Sequence, residues 1–252
     1  MPYRRFYRRR YRPFRRRPMF RRSRKRFKRR RGSSFRGQIR TRRFGITRLK
    51  TSVVGRSPFP NHIKVTHRYV SQAIGLDPGV DIAAHHFFAC NNLNQPDQTG
   101  VGHQPMGFDQ FRGLYDHYIV IGAKCTVRFI TTSQSPIHVG LMIVDTIAAP
   151  ITNIRTLKEN GNHVSGNLAP IGDDPAILTL TKGVNIGKWV QTSHPLSDDR
   201  LKGNTGTPPA EQIHFDIFAG DWATSANPNG CVAYVEIDYI TIWMEPVVQT
   251  GS

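Results

Sequence analysis

Charge is divided so unevenly along this chain that two different physical regimes follow. Of its 36 Lys and Arg residues, 27 precede Asp77, the first acidic residue, which leaves 9 basic against 17 acidic residues beyond that point. A block of like charge repels itself and has little apolar area to bury against the entropy of ordering a chain, so the leading part is expected to stay disordered until it meets a polyanion. The acidic remainder is long enough for one domain with a sizeable single core.

Residues 1–45 form a low-complexity arm with 18 Lys or Arg residues in the first 31 positions. Pro13 and Pro18 break any helix early, and Gly32, Ser33 and Ser34 mark a hinge. A linker at 46–60 ends in Ser57-Pro58-Phe59-Pro60, and the folded domain is expected over 61–248. There the composition changes to Val, Ile, Thr and aromatic residues in short runs separated by Gly, Pro, Asn and Asp, which is the pattern of a β protein.

Alternation is clearest from Ile119 to Phe129: Ile119, Ile121, Ala123, Cys125, Val127 and Phe129 fall on one face, Lys124, Thr126 and Arg128 on the other. The C-terminal run behaves alike, with Cys231, Ala233, Val235, Ile237, Tyr239, Thr241 and Trp243 on one side and Glu236 and Asp238 opposite. At about 15 residues it is long for a strand, so it reads as a central one. Further strands are predicted at 62–74 (Ile63, Val65, His67 and Tyr69 inward, Lys64 and Arg68 outward), 80–90, 137–145, 176–182, 186–192 and 211–219. Residues 110–116 and 151–159 suit short helices inside loops. Eight strands with long loops predict an all-β, eight-stranded jelly-roll sandwich preceded by a disordered Arg-rich arm. Loops 91–110, 146–175 and 193–210 are expected to form the outer surface and subunit contacts, the last being a candidate attachment loop.

The arm carries the chemistry. Arg4, Arg5, Arg8, Arg9, Arg10, Arg12, Arg15, Arg16, Arg17, Arg21, Arg22, Arg24, Lys25, Arg26, Lys28, Arg29, Arg30 and Arg31 are the expected nucleic-acid contacts. The guanidinium stays charged at cellular pH and forks onto phosphate oxygens. Tyr3, Phe6, Tyr7, Tyr11, Phe14, Phe20 and Phe27 are interleaved with these charges. Such rings stack on the open bases of a single strand at roughly 1–3 kcal/mol per base, a gain that a duplex does not offer. A nuclear-localisation signal needs only about 5–8 basic residues, so import is expected as a second use of a run built for packaging.

Other motifs point away from catalysis. Gly172-Asp173-Asp174 imitates a polymerase signature, but Pro175 follows and a turn is expected. Asp198-Asp199 reads as a pair of turn acids. His85-His86 and the other histidines match no HExxH pattern, although an interface histidine could titrate in an acidic compartment. There is no GxSxG elbow and no phosphate-binding glycine loop, so no enzyme activity, cofactor or metal is expected. Cys90, Cys125 and Cys231 are expected as buried hydrophobes rather than disulfides. No apolar run approaches the roughly 20 residues of a membrane span, and neither a signal peptide nor a glycosylation sequon is present, so a soluble protein outside the secretory pathway is expected.

The segments Met1-Pro2-Tyr3-Arg4-Arg5-Phe6-Tyr7-Arg8-Arg9-Arg10-Tyr11-Arg12 and Tyr115-Asp116-His117-Tyr118-Ile119-Val120-Ile121-Gly122-Ala123-Lys124-Cys125-Thr126-Val127-Arg128-Phe129, with the closing strand 232–246, resemble the capsid proteins of circoviruses and related small circular single-stranded DNA viruses. The resemblance implies a homo-oligomeric icosahedral shell of about 60 copies with the arm turned inward. It also implies a single-stranded DNA genome as partner, assembly in the host nucleus with import receptors, residence in the virion, and an attachment factor of unknown kind. A cellular nucleic-acid-binding protein of ribosomal or chromatin type is the alternative. Its basic surface would be expected to continue into the domain, which here is acidic.

In jelly-roll order the last strand lies between the first strand and the 119–129 strand. Glu236 and Asp238 are therefore expected beside Lys64, Arg68, Lys124 and Arg128. Those four bases then pair across strands, or else form a second nucleic-acid patch.

Overall fold

The computed structural model describes residues 59–79, 82–147, 153–204, 206–220 and 230–248. Ten strands account for most of them: β1 His62–Val70, β2 Ile74–Leu76, β3 Ala84–Ala89, β4 Tyr115–Thr131, β5 Ile137–Val144, β6 His163–Leu168, β7 Ile177–Asn185, β8 Lys202–Asn204, β9 His214–Gly220 and β10 Cys231–Pro246. Three short helices sit between them: α1 Phe108–Arg112, α2 Ile154–Glu159 and α3 Ile186–Trp189.

The strands form two antiparallel sheets, one ordered β1-β10-β4-β7 and the other β3-β9-β5-β6, with β2 added to β10 and β8 to β4. The chain passes between sheets repeatedly, so that β10 returns to lie between β1 and β4. This is the eight-stranded jelly roll expected from the sequence, and the two three-residue strands are additions to it. The core fills the space between the sheets, where Tyr69, Phe88, Tyr118, Phe129, Tyr239 and Trp243 are almost wholly buried. The buried Tyr239 hydroxyl donates to the Ala89 carbonyl at 2.8 Å, one polar link from the first sheet to the second.

The alternation predicted for β1 and β10 is what the chain adopts: Lys64 and Arg68 are exposed while His67 and Tyr69 are buried, and every inward residue named for β10 is buried. β4 departs from its prediction. Its register against β10 shifts between Ile240 and Thr241, so β4 carries one extra residue there. Such an insertion changes the phase of the alternation. Val120 and Tyr118, paired with Thr241 and Trp243, therefore take the inward side that Ala123 and Cys125 hold further on, in place of Ile119 and Ile121.

Among the eight main strands one expected member is absent and one unexpected member is present, so the two corrections compensate in number. Residues 186–192 form no strand: Asn185 Oδ1 accepts from the Lys188 amide at 3.0 Å and caps α3, ending β7 in a helical turn. β6, inside the expected 146–175 loop, was missed because HVSGNL has polar residues on its outward side and only Val164, Gly166 and Leu168 inward. Gly166 leaves room for Leu178 of β7; a Cβ there would lie 2.7 Å from Leu178 Cδ2. The predicted 62–74 strand breaks after Val70 into β1 and β2. The helix expected at 110–116 starts earlier, as α1, and yields to β4 at Tyr115. The 193–210 loop contains two short 3-10 turns and β8. Cys90, Cys125 and Cys231 are buried free thiols, as expected.

Candidate nucleic-acid interface

The Arg, Lys and aromatic residues expected to contact nucleic acid all lie between Tyr3 and Arg31, outside the described residues. Within the domain, the cations nearest to such a role stand on the outward face of the first sheet. Lys64 and Arg68 of β1 and Lys124 and Arg128 of β4 project there on either side of β10.

β10 does separate the two pairs of bases, but the register places its acids unequally. Asp238 is opposite Arg68 on one side and Lys124 on the other. Glu236 is opposite Val70 and Thr126, hence only diagonal to Arg68, Lys124 and Arg128, while Lys64 faces Ile242. The expectation that both acids adjoin all four bases is corrected to that extent. Arg68 makes a forked pair with Asp238, Nε to Oδ1 at 2.7 Å and Nη2 to Oδ2 at 3.1 Å, and this bonding raises the pKa of the guanidinium. With the Arg68 side chain 62% exposed, water screens the pair and it stabilises little. Among the described residues, Lys64, Lys124 and Arg128 form no ion pair within 4.0 Å.

Beside Arg128 the face dips into a groove of about 570 Å³ lined by Val70, Thr126, Arg128, Thr179, Tyr234 and Glu236. Tyr234 is directly opposite Arg128, and the Thr126 and Thr181 hydroxyls lie 3.2 Å apart on the same face. One cation, one exposed ring and a row of hydroxyls can meet a phosphate or a base; Glu236 works against a phosphate.

The remaining candidates resolve into structural roles. Asp173 and Asp174 occupy an exposed turn in which the Asp173 amide bonds the Pro170 carbonyl. Asp198 caps a short 3-10 turn and forks onto Arg200, Nε to Oδ1 at 3.0 Å and Nη2 to Oδ2 at 2.8 Å, which holds its carboxyl below the usual range; Asp199 pairs with Lys202. Among the described residues, no three His, Cys, Asp or Glu side chains are grouped to hold a metal ion. No helix among them is long and apolar enough to cross a membrane.

Sequence reasoning missed what the histidines do. His85 Nδ1 lies 2.9 and 3.0 Å from the two oxygens of Asp216, a carboxylate whose pKa burial raises, and His86 Nε2 lies 3.1 Å from Asp97. His67 accepts at Nε2 from the Trp243 indole at 2.9 Å and donates from Nδ1 to the Met106 carbonyl at 3.1 Å. Indole can only donate and a carbonyl can only accept, so only neutral His67 with its proton on Nδ1 satisfies both. Burial lowers its pKa in the same sense. No spacing rule finds a pair such as His85 and Asp216, whose members are 131 residues apart.

No protein-family model matches the chain, and no curated protein matches it. Solved structures with a similar backbone course include chains of virus particles. A chain of Desmodium yellow mottle tymovirus is 14% identical, with a TM-score of 0.40 over 81% of this chain and 99% of that one. A semi-empty virus-like particle of Macrobrachium rosenbergii nodavirus contributes a chain 9% identical, with a TM-score of 0.45 over 78% and 100%. Tobacco necrosis virus contributes one 10% identical, with a TM-score of 0.41 over 75% and 85%.

Proposed function

We propose that this chain is the shell subunit of a virus particle: the jelly roll builds the container, and residues 1–45 bind and pack single-stranded DNA within it. The observation that carries this reading is the joining of a lead segment rich in Arg and aromatic residues to an acidic β-sandwich domain. A fold alone names no function, so the weight rests on that division of charge. An icosahedral shell of about 60 copies brings together on the order of 1,000 positive charges, enough to neutralise roughly a kilobase of single strand. In this reading the particle is circovirus-like, its subunit reaches the nucleus through import receptors that read the same arginines, and it performs no catalysis. Lys64, Lys124 and Arg128 are a secondary contact for the packaged strand.

Electron microscopy of the purified full-length protein, with and without a single-stranded oligonucleotide, tests the container. Uniform closed spheres are expected, and a monomer under all conditions overturns the reading. Oligonucleotide binding measured across salt concentration tests the arm: log affinity falls linearly with log salt if counterion release drives binding, and a flat response rules that out. Removal of residues 1–45 abolishes most binding. Substantial binding left in that variant would move the main contact to the face bearing Lys64, Lys124 and Arg128.

A further inference from the structure

Asp97 is a buried acid whose hydrogen bonds all fall on one oxygen. It is 5% exposed, and its Oδ1 accepts from the Thr99 amide at 2.9 Å, the Thr99 hydroxyl at 2.7 Å and His86 Nε2 at 3.1 Å. Among the described residues no donor bonds Oδ2. A carboxylate has about four lone-pair sites on its two oxygens, and leaving that capacity unmet in a buried place is costly. Other acids of the domain are served on both oxygens: Asp238 by Arg68, Asp198 by Arg200 and Asp216 by His85.

Oδ2 is not among the sealed polar atoms that lack a partner, so it reaches open space, and the space beside Asp97 is a pocket of about 380 Å³. Tyr69 of β1, Ile74 of β2, His86 of β3 and the 97–103 loop form its walls. His103 stacks on Tyr69 with ring centroids 4.8 Å apart, and Val101 stands 88% exposed at the mouth. No Lys or Arg is among the described residues that line it. Gly102 is what lets the loop close on Tyr69: a Cβ there would lie 2.6 Å from Asp97 Cβ and 2.9 Å from the Tyr69 hydroxyl.

The open oxygen calls for a donor, and its charge favours a cationic one. A guanidinium forks onto two oxygens, but Oδ1 already receives three bonds. An ammonium is a compact point charge and needs only the second oxygen. The apolar surfaces of Tyr69, Ile74 and Val101 suit a short alkyl stem behind that charge.

We propose that this pocket binds a primary alkylammonium group, its nitrogen on Asp97 Oδ2 and its stem along Tyr69, Ile74 and Val101. The site uses none of the arm residues and none of Lys64, Lys124 and Arg128, so its failure would leave the packaging reading standing.

Titration of the full-length protein with n-butylammonium chloride tests this, at constant ionic strength and at about pH 8, where imidazole is ordinarily neutral. The Thr99 amide, bonded to Asp97, reports binding by its shift in ¹H–¹⁵N spectra. A saturable shift with a Kd on the order of 1 mM is expected. n-Butanol has the same stem without the charge and should bind about tenfold more weakly or worse. Each methylene removed from the amine should weaken binding by up to about fourfold. n-Butylguanidinium should bind more weakly than the amine. Asp97→Asn keeps an acceptor for Thr99 and places an amide donor where Oδ2 stood, so it should lose about tenfold or more. Nα-acetyl-lysine methylamide separates two sources of the group: binding equal to n-butylammonium admits the lysine side chain of another chain, and exclusion restricts the pocket to free amines. A shift that never saturates overturns the proposal. So does n-butanol binding as tightly as the amine, tighter binding of the guanidinium, or unchanged binding in Asp97→Asn; the tests on the unaltered chain stand even if that variant folds poorly.

Discussion

The two sheets share an interior yet present contrasting outward faces. Outside the first sheet stand Lys64, Arg68, Lys124, Thr126, Arg128 and Tyr234, all at least partly in water. Outside the second, Met142, Asp216 and Phe218 are as buried as the central core, with Ile154 and Leu157 of α2 packed together with Met142 and Phe218. Every residue of β9 is buried, and β5 reads as a near-continuous apolar run, because both lie between layers. Two polar residues on that covered face have hydrogen-bond partners there, Asp216 in His85 and His138 in Asn167.

Substitution of outward residues breaks or sharpens this contrast. Phe218→Ala on the second sheet empties a fully buried ring site beneath α2 and is expected to cost about 3–5 kcal/mol in denaturant unfolding. A cost near zero would mean that the covered face is not packed in solution. Gly140→Ala is smaller in volume but drives a methyl group into the Phe218 ring, and about 1–3 kcal/mol of destabilisation is expected from the same measurement.

Acid provides a third comparison. His67 between the sheets and His138 and His214 on the covered face all have pKa values lowered chiefly by burial. The unfolded chain then binds more protons than the folded one as pH falls below 6.5, so stability declines through that window and is recovered above it. Thermal melts across that range should show the decline, and His67→Gln should weaken it. On the first sheet's wet face, Tyr234→Ser is expected to change stability by less than about 0.5 kcal/mol. Arg68→Ala should leave the denaturation midpoint where it was, because its partner Asp238 is also open to solvent.

Much of the fold was legible where one side of a strand meets water and the other does not. β1 and β10 show that alternation in their residues, and their inward sets are the buried ones. The extra residue in β4 was illegible, because Val120 and Ile121 are both apolar and only the register against β10 tells which turns inward. The edge strand β6, with Ser, Gly and Asn among its six residues, has too little apolar patterning to be seen alone. α3 was mistaken for a strand because Ile186, Trp189 and Val190 suit either state and the capping bond of Asn185 decides it.

The charge division, the β character of the domain and the direction of its wet residues follow from the order of the amino acids alone, because each depends on neighbours within a few positions. The pairing of His85 with Asp216, the single tautomer open to His67, and the uneven shares of Asp238 and Glu236 among the bases were decided only when strands far apart in sequence came into register. The covering of the second sheet by α2 belongs with them. Contacts of that kind are set by which faces the whole chain leaves to be buried, and no local pattern encodes that choice.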